Sequence, residues 1–512
     1  MKRPDLKSHF HRIFSVGVVC LPVVELYRTF FGGALELCGF ALEEIILLLW
    51  AGSVFFYGLM LALRSKNKIP LIATAVWLGI SLLYLLLHGA NAARFDASLL
   101  PGSKPHFLTE CYYVVRTWLA PTAVLLGAWL GKLPRNTLFS ALRGALWVVS
   151  FGVVIPCVFG FSLSSYLEGD QFIAGGFFSW FSLPEGADPA AYTARGLFPR
   201  ANVVGAVLFG LVPLAAYSAL KRGKITDYLL LFFTGLASVM VGTKIGSLGF
   251  FLGLVATLVV ALLQRFICKK EEPSNRNLAL SFLILALILP LFLISPGRAL
   301  QARREDQKES DLRTLALTAE VEAVLEKSRE NLALTEEDTS LIAAYLKEHR
   351  WDHFIDPWFP ALYPPEGDAT FWCRILSRDP RENQDARRFK IELCRRIAER
   401  NENELDPLFG MGYTSGIPYT ERDLVFQYYE LGAAGVLVLM GPYFALFLYG
   451  CAQALKALFC RRSLLITGAL TLSLFSLFAT AYLAGHVFDT VLSTYVVALI
   501  GALFPAGGLD EA

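Results

Sequence analysis

Arg116, Arg195, Arg200 and Lys244 stand at or beside the ends of long apolar runs, and so do Glu421, Asp423, His486 and Asp489. Ionisable groups in or near membrane-length segments are costly unless they face a cavity or a partner, so each is a candidate functional group. Guanidinium and ammonium groups gathered beside carboxylates and an imidazole suit an anionic, phosphate-bearing ligand and acid–base chemistry. Asn202, just inside the apolar run after Arg200, adds an amide to this set. Taken singly, each charge is equally well explained as a membrane-boundary or snorkelling residue; their co-location carries the site reading. Glu25 and Arg28, three residues apart in the first run, read as a structural pair away from the others.

The elements that must position these groups are membrane spans. A span needs about 20 apolar residues, and such runs fall at roughly 13–32, 41–63, 69–88, 109–131, 139–162, 199–220, 226–242, 246–265, 276–295, 424–452, 463–483 and 487–505. The expected fold is an all-α polytopic membrane protein of about twelve transmembrane helices, with a large, mostly helical extracytoplasmic domain between the ninth and tenth. The chain divides accordingly into 1–294 (helices 1–9), 295–423 (the extracytoplasmic loop domain) and 424–512 (helices 10–12 and a cytoplasmic tail). Alternate connections are basic: Lys2, Arg3 and Lys7; Arg64, Lys66 and Lys68; Lys132 and Arg135; Lys221, Arg222 and Lys224; Lys269 and Lys270; Arg461 and Arg462. By the positive-inside bias, both termini are cytoplasmic and the candidate charges other than Glu25 and Arg28 lie on or near the outer side.

Composition agrees with a membrane protein and excludes other classes. The 512 residues are 55% hydrophobic, mean hydropathy is +0.50, and a net charge of +2 gives no global field for nucleic acid. The nine cysteines form no CxxC and no Cys/His cluster at metal spacing, so neither metal nor cofactor is expected. MKRPDLKSHFHR precedes the first apolar run as a signal peptide would. It lacks a small-residue cleavage site and further spans follow at once, so it reads as the start of a retained helix.

Three outer segments are long: about 89–108, 163–198 and 295–423. The second is rich in Gly, Ser and aromatics, as a partly re-entrant or interfacial loop would be. In the third, Ser310–Leu346 has helical apolar spacing with Thr335 as an N-cap, and Arg388, Glu392 and Arg396 stand i, i+4 on a solvated helix. WDHFIDPWFPALYPPEGDATFW between them reads either as a loop packed on the membrane interface or as a sugar-stacking surface. Cys373 and Cys394 are candidates for a disulfide in an oxidising compartment.

Five segments in order carry a family resemblance. ARGLFPRANVVGAVLFG resembles the Arg…Phe…Asn-x-x-Gly signature of the O-antigen ligase/polymerase superfamily, and VGTKIGSLGFFLGL its Gly-Thr-Arg/Lys turn. ARRFKIELCRR before LFGMGYTSG resembles its extracytoplasmic Arg helix and Gly-x-Gly-Tyr turn. ERDLVFQYYELGAAGVLVL resembles its Glu-x-Asp…Gly-x-x-Gly start of the next span, and AGHVFDTVLS a late Gly-His-Val segment. Glu421-Arg422-Asp423 stands where many ligases have His-Asn, which is similar to the Glu-x-Asp subgroup.

The resemblance implies a metal-independent glycosyltransferase in the bacterial cytoplasmic membrane, polymerising or ligating undecaprenyl-diphosphate-linked oligosaccharide at its outer face onto an acceptor glycan. It implies Arg195 and Arg388 on the diphosphate, with Arg387 an alternative to Arg388, Lys244 in support, and Asn202 contacting the donor or holding a helix start. It makes Glu421 or Asp423 the candidate general base for the acceptor, with His486 as the rival. The partners implied are the lipid-linked donor, the acceptor glycan and membrane lipid; whether a chain-length regulator binds stays open. The readings from other classes are a lipid-linked glycan flippase or other secondary carrier, and a glycan-binding scaffold. A carrier places its charges near the midplane on broken helices, often in repeated halves; here they stand at the span ends.

Overall fold

The computed structural model describes residues 5–31, 36–37, 40–167, 169–310 and 317–504. Lys2 and Arg3, part of the Ser310–Leu346 stretch and the C-terminal tail lie outside the described residues. Among the described residues, ten helices are long and apolar enough to cross a membrane: Leu6–Phe31, Leu42–Leu63, Ile69–Ala92, Phe107–Leu130, Arg135–Val158, Ala201–Arg222, Lys244–Phe266, Asn275–Leu293, Asp423–Phe459 and Leu465–Leu483. Two shorter apolar helices, Ile225–Val241 and Val491–Ala502, occupy the seventh and twelfth expected positions. The chain forms two compact units, one of residues 1–81, 114–304 and 439–512, the other of 82–113 and 305–438. The second therefore takes in Leu82–Tyr113 as well as the hydrophilic insert, a partition hydropathy alone does not indicate.

In the first unit, Ala201–Arg222 is the most enclosed span, with 94% of its apolar window buried. Its small residues allow close approach: a Cβ on Gly205 would meet Thr243 and Gly246, and one on Gly210 would meet Leu477 at 2.7 Å. Gly58 and Gly127 make a second such contact, where a Cβ on Gly58 would lie 2.2 Å from the Gly127 carbonyl oxygen. Small residues at helix crossings are the usual means of packing when lipid is as apolar as the helix face. Asp227, fully buried, is held by both Arg143 and Arg222.

The second unit has its own apolar core. Phe359, Tyr363, Phe371, Trp372 and Phe389 pack with Ile342, Leu346 and Leu393. Most aromatics of the WDHFIDPWFPALYPPEGDATFW segment are thus core residues, a role neither expectation named, while Trp351 and Trp358 are exposed. Thr335 caps Glu336–His349 as expected, in a capping box with Asp338. Arg388 and Glu392 pair i, i+4 at 3.3 Å. Arg396 turns instead to Asp368, which it grips at 2.6 and 3.1 Å. Cys373 and Cys394 are free thiols, so the disulfide is absent. The Cys394 thiol donates to the Pro418 carbonyl at 3.4 Å, and burial pushes both thiols up, Cys373 to about 11.

Asp368 also accepts from Tyr363 Oη at 2.7 Å and caps Ala369–Leu376 through the Phe371 amide. Burial alone would raise its carboxyl; Arg396 and these donors together hold it below the ordinary carboxylate range. A depressed folded value means the stabilisation is complete above the unfolded carboxylate range and is lost as pH falls through the folded value. Asp368→Asn is therefore expected to destabilise this unit by about 3 kcal/mol at neutral pH and to flatten the acid side of its stability profile. Thermal unfolding of the whole protein in detergent at pH 7 and pH 4 measures both.

Candidate functional site

The candidate residues form two groups, one in each compact unit. In the first unit, Arg195 lies on the short strand Ala194–Gly196, paired antiparallel to Leu163–Ser164. Ser162 Oγ accepts from the Gly196 amide at 2.9 Å and donates to its carbonyl at 3.2 Å. Gly196 has φ +70°, and a Cβ there would lie 2.1 Å from the Gly152 carbonyl oxygen, so only glycine lets this strand press onto the span beneath it. Arg195 is 8% exposed. Its Nη2 donates to Asp170 at 2.6 Å, whereas its buried Nε has no partner among the described residues. Burial lowers its pKa, and the Asp170 carboxylate opposes that shift.

Lys244 opens the helix Lys244–Phe266 and is exposed. Its turn is fixed by Gly242, at φ +70°, and by Thr243, whose Oγ1 accepts from the Gly246 amide at 3.0 Å. Gln301 Nε2 donates to the Gly242 carbonyl at 2.9 Å, and Tyr166 Oη reaches the same oxygen at 3.4 Å. Asn202 is the second residue of Ala201–Arg222 and half-buried.

His486 occupies a tight turn in which both Gly485 and His486 have positive φ, +68° and +62°. Its carbonyl is gripped by Thr490 Oγ1 at 3.1 Å and Ser493 Oγ at 3.0 Å. His486 Nδ1 lies 2.9 Å from Asp489 Oδ2, and Arg200 Nη1 reaches that same oxygen at 3.4 Å. The other carboxylate oxygen of Asp489 is buried without a partner among the described residues. This constellation orients an imidazole through a carboxylate and sets a half-exposed guanidinium beside it. Glu25 is within electrostatic reach of Arg28, Arg200, Arg116 and Asp489. Glu25 therefore lies near this charge cluster. Arg116, in a π-helical turn at Val115–Leu119, pairs with Glu44. A one-turn π segment is a common mark of functional helices.

In the second unit, Glu421 accepts from Lys390 Nζ at 2.6 Å and Arg387 Nε at 3.3 Å. Burial would raise its carboxyl, but Lys390 and Arg387 hold it below the ordinary range. Arg388, the neighbouring candidate, faces Glu382 at 2.9 Å and Glu392. The helix Ala386–Asn401 therefore turns Arg387, not Arg388, toward Glu421. Asp423 is fully buried and accepts from Tyr419 Oη at 2.5 Å.

The Gly-x-Gly-Tyr turn docks on the helix that follows it. Met411 N donates to the Tyr429 carbonyl at 2.8 Å and Gly412 N to the Glu430 carbonyl at 2.9 Å. Gly410 and Gly432 both have positive φ, and a Cβ on either would meet the other segment's backbone within 2.4 Å. These glycines are required by that approach. The turn is also held by His88, Asn91 and Glu110, residues the sequence reading passed over. His88 and Glu110 lie at the ends of apolar runs and Asn91 in the outer segment between them, all far from any motif.

Comparison with curated protein sequences finds no match for this chain. The family profile of O-antigen ligase like membrane proteins matches residues 9–329 and 384–506, leaving 330–383 of the insert outside the match. All the candidate residues fall inside the matched segments. With ten or more apolar helices and this match over most of its length, the chain belongs to the O-antigen ligase-like membrane protein family.

Proposed function

We propose that this protein transfers glycan from an undecaprenyl-diphosphate-linked oligosaccharide to an acceptor glycan at the outer face of the bacterial cytoplasmic membrane, as a polymerase or ligase. The observation that carries this reading is the Arg200–Asp489–His486 constellation in one unit with the buried, incompletely bonded Arg195. The donor already bears a good leaving group. The enzyme must then stabilise negative charge developing on the diphosphate and remove a proton from the acceptor hydroxyl.

Arg195 suits the first task. A planar guanidinium binds phosphate oxygens through two N–H groups, and fixed cations in a partly dry site stabilise a leaving anion without reorganising. Asp170, with its side chain 66% exposed, holds the guanidinium until the diphosphate replaces it. Lys244, Asn202, Arg387 and Arg388 are proposed as further donor contacts, with Arg387 preferred over Arg388 because Glu421 orients it. Having arginines meet the leaving charge makes the reaction metal-independent in this proposal; activity retained in chelator tests that.

For the second task His486 is preferred to Glu421 and Asp423. Asp489 accepts the Nδ1–H, which places the imidazole lone pair on Nε2. Glu421 has both oxygens engaged by cations, which makes it a weak base and a good anchor for Arg387. In the step, the acceptor hydroxyl oxygen bonds to the anomeric carbon and its proton passes to His486 Nε2. The anomeric C–O bond breaks, and its electron pair leaves on the lipid diphosphate. Glu421→Gln is expected to lower kcat less than tenfold while raising the donor KM, a split that steady-state kinetics reads directly.

Gels of lipid-linked and surface glycans from cells carrying Arg195→Ala test the proposal. Collapse of a ladder to single repeats identifies a polymerase, and full-length polymer stranded on the lipid carrier a ligase. An unchanged profile contradicts both.

A further inference from the structure

His88 lies between two hydrogen-bond acceptors. Its Nδ1 is 2.5 Å from the Phe409 carbonyl oxygen, and its Nε2 is 2.8 Å from Glu110 Oε1. A neutral imidazole carries one N–H and can satisfy only one of these. Either the ring holds two protons or Glu110 holds one. Glu110 favours the first, because it already accepts from three other donors. The Tyr413 amide reaches Oε1 at 2.9 Å, the Thr414 amide reaches Oε2 at 2.9 Å, and Thr414 Oγ1 reaches Oε2 at 3.0 Å. Three donors besides His88 thus point at the two carboxyl oxygens, an arrangement that an acceptor-only carboxylate fits.

Both side chains are fully buried. The ring of Tyr84 stacks on His88 at 5.3 Å, and Glu430 lies within electrostatic reach of Glu110. A lone buried charge would be prohibitive here, but a bonded pair of opposite charges is tolerated.

We infer that His88 and Glu110 form a buried imidazolium–carboxylate pair that acts as a positioning device for the Phe409–Thr414 turn. The pair bridges the two ends of that turn. His88 holds Phe409 at its start, and Glu110 holds Tyr413 and Thr414 at its end. Asn91 reinforces the start by donating to the Gly410 carbonyl at 2.8 Å and to Asp406 at 2.9 Å. Tyr413 Oη is thereby aimed at Gln427 Oε1, 2.6 Å away. Seven residues after Thr414 the same segment reaches Glu421, so its placement governs the Arg387–Glu421–Lys390 group. That the device serves turnover rests on the glycan-transfer reading; that the pair exists does not.

The test uses full-length protein in lipid nanodiscs. With ¹⁵N-labelled histidine, subtraction of a His88→Gln spectrum isolates His88 among the seven histidines. Both of its ring nitrogens are expected to carry protons at pH 7.5; one bare ring nitrogen overturns the assignment. In Glu110→Gln, amide exchange at Tyr413 and Thr414 should quicken at least tenfold, and unchanged exchange overturns the clamp. The same variant should lower kcat at least tenfold with donor KM held within threefold. Faster exchange with wild-type kcat would overturn the positioning role. The nitrogen and exchange readouts are independent of glycan chemistry, so failure of the transferase reading leaves them standing.

Discussion

Replacing His486 with alanine is expected to lower kcat by about 10²–10⁴-fold, the usual contribution of a positioned general base, while donor KM changes little. The expectation follows from geometry. Thr490 and Ser493 fix the backbone at His486, and Asp489 fixes the ring through Nδ1. Asp489→Asn is the sharper variant, since an asparagine amide can donate to Nδ1 and reverse the tautomer. The lone pair would then face the amide instead of the acceptor hydroxyl, and kcat should fall about 10²-fold or more although the side chains stay in place. Arg200 reaches the same carboxylate oxygen at 3.4 Å from a more exposed position, so Arg200→Ala should have the smaller effect on ring orientation. Single-turnover measurements with preloaded donor separate this chemical step from binding.

Arg195→Ala should remove about 10²–10³-fold from kcat/KM, the range typical of deleting one preorganised donor to a developing anion. Lysine should not restore it. An ammonium lacks the planar fork that contacts two phosphate oxygens, and it would leave Asp170 and the strand packing poorly matched. Asp170→Asn should act in the opposite direction on binding. It removes the carboxylate that competes with the diphosphate for Arg195, so donor KM should fall several-fold. Direct donor-binding titrations of the two variants would show these opposite signs.

The spans were legible in the sequence because the 18–20-residue apolar run is a strong signal that tertiary context seldom overrides. The Thr335 cap was legible for a similar local reason. Two features were not. The last apolar run, read as 487–505, forms a helix of only 12 residues, Val491–Ala502, preceded by the His486 turn. The aromatic insert segment reads as a surface because its prolines break periodicity, yet Phe359, Tyr363, Phe371 and Trp372 turn inward.

The candidate site divides the same way. Arg195, Lys244, His486 and Asp489 stood out as charges beside spans. The ordering of Arg387 over Arg388 depends on helix rotation, and one residue of register decides which faces Glu421. His88 and Glu110 were invisible because their meaning lies in contacts with residues 409–414, some 300 positions away in sequence.

The most direct test of glycan transfer is a reconstituted one. Purified protein in proteoliposomes, given a polyprenyl-diphosphate oligosaccharide in the presence of chelator, should release free lipid diphosphate in step with formation of a longer or newly attached glycan, and His486→Ala should do neither. Movement of intact donor across the bilayer with no release of lipid diphosphate would contradict the account and identify a carrier.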